Sequence, residues 1–452
     1  MTERLSLRSR RVATPSGVRD AVVVIEAGRI VAVREPAAGD QVTADFGDHW
    51  IMPGLVDTHV HLNDPGRADW EGFDTGTAAA LAGGFTTLVD MPLNSDPVTT
   101  TVPTFEAKVA AARGRLRCDV GFWGGVVPGN ADQLEPLAQR GVLGFKCFLS
   151  PSGIGDFENV GATSLAEAMY TIADLGLPLL IHAEAPRVLD EAAAKLSPSA
   201  DARSYATWLA SRPPDAELAA IAIVLDMSAL TNCRAHIVHL SAADALRNLG
   251  IARRSGDRIT IETCPHYLVF DSGSIPDGAT EFKCAPPIRD RANRDRLWDA
   301  LEHGAIDLVA TDHSPCLPEM KLKESGDFMR AWGGIASLEA ALGAMWREAH
   351  ARGLAPERLA HWMSEAPARL AGLQGRKGAI TEGADADLVV WDPEVEWTLD
   401  PTRLHQRHPI TPYAGRPMRG RVERVYLRGE LVFENGALVG EPRGKALLRG
   451  RD

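Results

Sequence analysis

The stretch Ile51-Met52-Pro53-Gly54-Leu55-Val56-Asp57-Thr58-His59-Val60-His61 decides how the rest of the chain is read. It is apolar for most of its length and ends in His-x-His. Residues two apart on a β-strand point to the same side, so a buried strand ending this way brings two imidazoles together. Two neutral ring nitrogens side by side suit a metal ion.

From Ile51 onward the rhythm is strand, helix, strand. Apolar or β-rich runs recur at 85–91, 118–126, 142–149, 178–184, 234–241, 259–267 and 305–313. Between most of them lie Ala- and Leu-rich stretches of helical period, such as 74–82, 164–175 and 242–253. Counting the run that ends at Val56-Asp57, this predicts eight parallel strands with helical crossovers, which close naturally into a (β/α)8 barrel. A doubly wound sheet is the competing α/β arrangement, but no Gly-x-Gly-x-x-Gly turn follows the first strand.

Upstream, β-branched runs at 22–25 and 29–33 flank Ala27-Gly28 as a hairpin. Strands return after Leu373, at 386–391, 422–427 and 430–433. The predicted organisation is a barrel over 51–374 and a small β-sandwich domain built from both termini, 1–50 and 375–452. The charged, Gly-rich segment 316–335 follows the last barrel strand and reads equally as a lid or a surface excursion.

Composition narrows the function class. The 452 residues, 45% hydrophobic and 24% charged, are those of an ordinary globular protein. A formal charge of −12 argues against nonspecific nucleic-acid binding and leaves no basic patch for an anionic membrane. No run approaches the roughly 20 apolar residues that cross a bilayer. Met1 to Arg11 is basic but lacks the apolar core of a secretory signal, and strand-like sequence begins too soon for a transit peptide. The cysteines (Cys118, Cys147, Cys233, Cys264, Cys284, Cys316) form no Cys-x-x-Cys pair and fit reduced thiols in a cytoplasmic enzyme. A metal here would be held by nitrogen and oxygen.

In such a barrel the active site sits at the carboxyl ends of the strands. Polar groups interrupt or end the apolar runs there: His59 and His61, Lys146 in Phe-Lys-Cys-Phe, His182 in Ile-His-Ala-Glu, His239 in His-Ile-Val-His-Leu-Ser, and Asp312 in Ala-Thr-Asp-His-Ser-Pro. Lys146 is the oddest, because desolvation pushes a buried amine toward neutrality. A neutral amine can add carbon dioxide to give a carbamate, whose two oxygens can bridge two metal ions. A buried lysine is more commonly paired with a carboxylate. With four histidines and an aspartate at neighbouring strand ends, the bridge is the better explanation. His236, three residues before His239, points to the opposite face and reads as packing. His266 and His313 are nearer the site, as ligand-orienting, substrate or structural groups.

The motifs HVH, FKCF, IHAE, HIVHLS and ATDHSP, in this order, resemble the amidohydrolase superfamily, in particular its cyclic amidohydrolases: dihydroorotases, hydantoinases or dihydropyrimidinases, and allantoinases. The resemblance runs from about Arg29 to Gly436 and includes Gly383-Ala384-Asp385-Ala386-Asp387-Leu388-Val389-Val390-Trp391, typical of the family's small β-sandwich. It implies that His59, His61, carboxylated Lys146, His182, His239 and Asp312 hold two divalent ions per subunit. Zinc is the first expectation, with manganese, cobalt or iron as alternatives.

Asn63 stands where dihydroorotases usually carry an arginine, and 149–153 lacks the tyrosine of hydantoinases. The segments 63–67, 70–73, 91–95, 282–289 and 312–316 look like those of allantoinases. The implied reaction is ring opening of (S)-allantoin to allantoate by metal-bound hydroxide, with Asp312 as general base. Asn94, Ser314 and the backbone at Ala285 and Pro286 are the candidate substrate contacts. The resemblance also implies a dimer or tetramer of identical chains. A hydantoinase-type enzyme is the nearest alternative, and a non-catalytic scaffold of the same fold a distant one.

Overall fold

The computed structural model describes residues 4–450. Eight parallel strands run Leu55–Val60, Phe85–Asp90, Asp119–Phe122 (continuing as Gly124–Gly125), Phe145–Phe148, Pro178–His182, Arg234–Ile237, Ile259–Thr263 and Leu308–Val309. Two hydrogen-bonded arcs make up the ring. They meet at Trp123, whose neighbours pair with opposite sides: Trp123 N–H donates to Asp90 (3.0 Å) and Gly124 N–H to Gly144 (2.9 Å). The other junction is a parallel bridge between Val60 and His313, with His61 N–H donating to the His313 carbonyl at 2.8 Å. Buried Asp57 reinforces it, its two oxygens accepting from Thr311 N–H at 3.2 Å.

Every residue of the strands Leu55–Val60, Phe85–Asp90 and Pro178–His182 is buried. Burial on both faces explains why these strands read as continuous apolar runs rather than alternating ones. The outer helices show the complementary pattern. Ala162–Leu175 buries Leu165, Ala168, Met169 and Ile172, one stripe at three- and four-residue spacing. Gly176 ends that helix in the left-handed region (φ 67°), where its N–H caps the carbonyls of Ile172 and Ala173. The next strand begins two residues later at Pro178.

Strands from both ends of the chain form one nine-stranded sheet. In it Trp50–Pro53 lies between Leu5–Thr14 and Leu388–Thr398, which joins the two terminal segments and leads through Gly54 into the barrel. Gly54 is required there, since a Cβ would fall 2.2 Å from Thr86 Oγ1. The last short strand, Ala446–Leu447, leaves this sheet and pairs in parallel with the barrel strand Asp119–Phe122. It is drawn there by Asp119, which accepts from Lys445 N–H at 2.8 Å, and by burial of Leu447. Asp119 also joins a buried ionic cluster in which Lys377 Nζ meets Asp119 (2.7 Å), Asp385 (3.0 Å) and Asp387 (2.5 Å). No helix among the described residues is long and apolar enough to cross a membrane.

Candidate metal centre and active site

The strand ends converge as the spacing predicts. His59 and His61 both direct Nε2 at one oxygen of Asp312, at 3.2 and 3.4 Å. Across the cavity, His182 Nδ1 and His239 Nε2 face each other at 3.0 Å. The His59 and His239 ring centroids are 5.4 Å apart, so the two halves form one site. Lys146 lies beneath, fully buried, with Nζ 4.8 Å from the Phe148 ring centroid and no hydrogen-bond partner among the described residues.

Burial pushes the Lys146 amine down to about 8, against the pull of Glu262 and Asp312. It also lowers His61, His182 and His239, favouring the neutral imidazoles a metal requires. Asp312 behaves oppositely: burial would raise it, but His59, with His61 and His239, holds it well below the usual carboxylate range.

The donor set therefore fits divalent cations held by nitrogen and oxygen. His59, His61 and Asp312 offer ligand atoms within 4.8 Å of one another. Facing imidazole nitrogens on His182 and His239, and an orphaned amine on Lys146, complete the set.

Backbone geometry aims two of these side chains. The sixth and eighth strands end at Ile237 and Val309, short of the ranges read from sequence, because the chain then turns sharply. His239 (φ 39°) and Asp312 (φ 47°) lie in the left-handed region, costly for residues with a Cβ. His313 helps hold that turn. Its Nδ1 accepts from Ser337 N–H at 3.0 Å, and its Nε2 lies 3.3 Å from Glu71 Oε2.

Several carboxylates that support the site escape a reading of histidines alone. Glu262 hydrogen-bonds His59 Nδ1 with one oxygen and His236 Nε2, at 3.0 Å, with the other. His236 is thus more than packing: it braces the carboxylate that orients His59. Glu184 lies 2.8 Å from His182 Nε2; burial would raise its carboxyl, but Arg212 and His182 hold it at about 2. Lys108 Nζ pairs with Asp90 at 2.6 Å, and Asp90 accepts from Leu62 N–H at 2.8 Å, fixing the turn after His61. Glu262 was legible in principle, as a charge inside the β-branched run Ile259-Thr260-Ile261-Glu262-Thr263.

A cavity of about 220 Å³ opens over the centre. Its lining includes Asn94, Ala285 and Ser314, and also Trp208, Arg212, Lys283 and Trp332. Asn94 Nδ2 is 3.2 Å from His61 Nδ1. Pro286 does not line the cavity; its carbonyl is turned away and accepts from Tyr267 Oη at 2.7 Å. His266 and His313 are fully buried and do not line it either. Ala331, Trp332, Gly333 and Gly334 of the segment 316–335 form part of the cavity wall. Lys283 Nζ donates to the carbonyls of Met329 (3.1 Å) and Ala331 (2.6 Å), and Lys321 Nζ to those of Trp332 (3.1 Å) and Gly334.

A barrel whose strand ends gather four imidazoles, a carboxylate and an unpaired amine is the architecture of a metal-dependent hydrolase. The chain belongs to the amidohydrolase family, whose family model matches residues 50–432. It is 49% identical to an allantoinase of Streptomyces avermitilis over 98% of both chains. It is 44% identical to an allantoinase of Arabidopsis thaliana, covering 98% of this chain and 90% of that one. Among solved structures it is similar to an L-hydantoinase (dihydropyrimidinase) from Arthrobacter aurescens, with a TM-score of 0.93 and 29% identity over 99% of this chain and 100% of that one. These similarities place the chain among the allantoinases of the family.

Proposed function

We propose that the chain hydrolyses the hydantoin ring of (S)-allantoin, giving allantoate. Similarity to allantoinases along nearly the whole chain carries this reading. His59, His61, His182, His239, Asp312 and an N6-carboxylated Lys146 would hold two divalent cations, zinc first among the candidates. When bound, these would acidify a water and draw electron density from the ring carbonyl.

The remaining chemistry belongs to the protein. Asp312, kept ionised among imidazoles, takes the proton from the attacking water and passes it to the departing ring nitrogen. The carbonyl carbon gains the water oxygen and becomes a carboxylate, the second water proton being lost to solvent, while the C–N bond breaks and the nitrogen keeps the electron pair. That nitrogen departs readily because it is also bonded to the urea carbonyl. Asn94 and Ser314, which line the cavity, would hold the planar ring.

The high structural similarity to an L-hydantoinase supports a second reading, activity on simpler hydantoin or dihydropyrimidine rings. A panel of allantoin, hydantoin, dihydrouracil and dihydroorotate decides between them: allantoin should be turned over with the highest kcat/KM, and a preference for any other ring overturns the assignment. The reading extends to a cytoplasmic enzyme whose terminal segments, before residue 51 and after residue 374, form a distinct small β-sandwich. It also includes assembly of identical chains. Light scattering tests that assembly.

A further inference from the structure

One wall of the cavity is cationic, formed by Arg212 and Lys283. Arg212 and Lys283 both pack on the indole of Trp208, at 5.2 and 4.2 Å from a ring centroid. Trp208 is itself fixed, its Nε1–H donating to the Cys284 carbonyl at 3.1 Å. Lys283 is engaged by main-chain carbonyls of the loop beyond it. Arg212 is not fully engaged.

Arg212 follows the helix Tyr205–Ser211, and its side chain, 17% exposed, lines the cavity. One edge of its guanidinium meets both oxygens of Glu184, with Nε at 3.0 Å from Oε1 and Nη2 against Oε2. A guanidinium presents five N–H groups in a rigid fork. With the Nε–Nη2 edge committed, Nη1 keeps two donors, and no hydrogen bond from it forms among the described residues. A charge-assisted donor of this kind, in a mostly desolvated wall, discriminates strongly between ligands that satisfy it and ligands that do not.

We infer that Arg212 is a specificity-determining residue: Nη1 donates to a carbonyl oxygen on the arm carried by the ring, the ureido carbonyl of allantoin. The inference rests on the substrate reading above. In that substrate the arm is borne by the ring carbon bonded directly to the attacked carbonyl, so whatever receives it lies beside the reaction centre. Arg212 meets that requirement, being joined to His182 through Glu184 alone. The same bidentate contact positions His182, so a change at Arg212 has a structural arm and a recognition arm that must be separated.

The test compares a ligand with the arm and one without it. KM and kcat are measured for allantoin, and Ki for unsubstituted hydantoin as a competitor, in wild type, Arg212→Met and Arg212→Lys. In both variants kcat/KM for allantoin should fall about 10- to 100-fold, while the hydantoin Ki moves less than about 3-fold. Arg212→Lys keeps the charge and stem, so the split remains readable if the Met variant fails to fold. Glu184→Gln, which loosens the bracket but keeps Nη1, should affect both ligands alike. Parallel losses for both ligands in the Arg212 variants, or no loss for allantoin, would overturn the inference. A wild type without allantoin turnover would instead sink the substrate reading on which it stands.

Discussion

His182 Nδ1 and His239 Nε2 lie 3.0 Å apart, and each belongs to a ring that burial keeps toward its neutral form. Two buried imidazole nitrogens at that separation suit a shared cation. Chelation should therefore abolish turnover, and divalent zinc, manganese or cobalt should restore it. His239→Ala should lower the metal content of the purified protein, read by elemental analysis. Full activity after exhaustive chelation would contradict this.

Lys146 is a buried amine without a hydrogen-bond partner among the described residues. Removing an unpaired, desolvated charge relieves a penalty rather than breaking a contact. Lys146→Met should therefore lose at least about 10³-fold in kcat while the Tm of the metal-free protein stays level or rises. A large drop in that Tm would show that the amine has a structural partner.

Glu262 spans His59 and His236, and its Oε1 also accepts from the His239 backbone N–H at 3.2 Å. Carboxylates that orient metal-holding histidines typically contribute about 10- to 100-fold in metal affinity. Glu262→Gln should weaken metal binding by that factor, measured by competition with a chromophoric chelator. Unchanged affinity would reduce Glu262 to packing.

The Lys377 ammonium faces three buried carboxylates, Asp119, Asp385 and Asp387. Lys377→Met leaves buried Asp387 without a cation, although Arg428 still meets Asp119 (2.6 Å) and Arg376 still meets Asp385 (3.0 Å), and should destabilise the fold by about 3–5 kcal/mol, read from denaturant melts.

His405 gives a pH-dependent term. The Glu339 carboxylate beside it raises the His405 pKa above 6.5, against the effect of partial burial. A raised pKa contributes stability that is full below the unfolded value and is lost as pH rises through the folded one. The Tm difference between wild type and His405→Gln should therefore shrink from about pH 6 to about pH 9. A difference that grows over that interval would reverse the assignment.

Much of the site was legible because its side chains violate their surroundings. His59, His182 and Lys146 sit in buried, largely apolar strands and His61 directly follows one, positions where a polar residue needs a reason. His239 and Asp312 were legible as residues but not as geometry. Their left-handed backbone depends on tertiary pins such as His313 to Ser337, which no local propensity encodes. Glu184 and Arg212 were hidden for a related reason: 28 residues separate them, and they acquire their roles only when the end of the helix Tyr205–Ser211 is brought to the residues that follow the fifth strand. The destination of Ala446–Leu447 was equally unreadable, because two residues carry no period, and Asp119, more than 300 residues away, fixes their place.

The most direct measurement is the rate of allantoate formation from allantoin by the metal-loaded protein and by its Asp312→Asn variant, each with its metal content determined. The account predicts rapid turnover by the wild type and near-complete loss in a folded variant. No turnover by the metal-loaded wild type, or a variant close to wild-type rate, would contradict it.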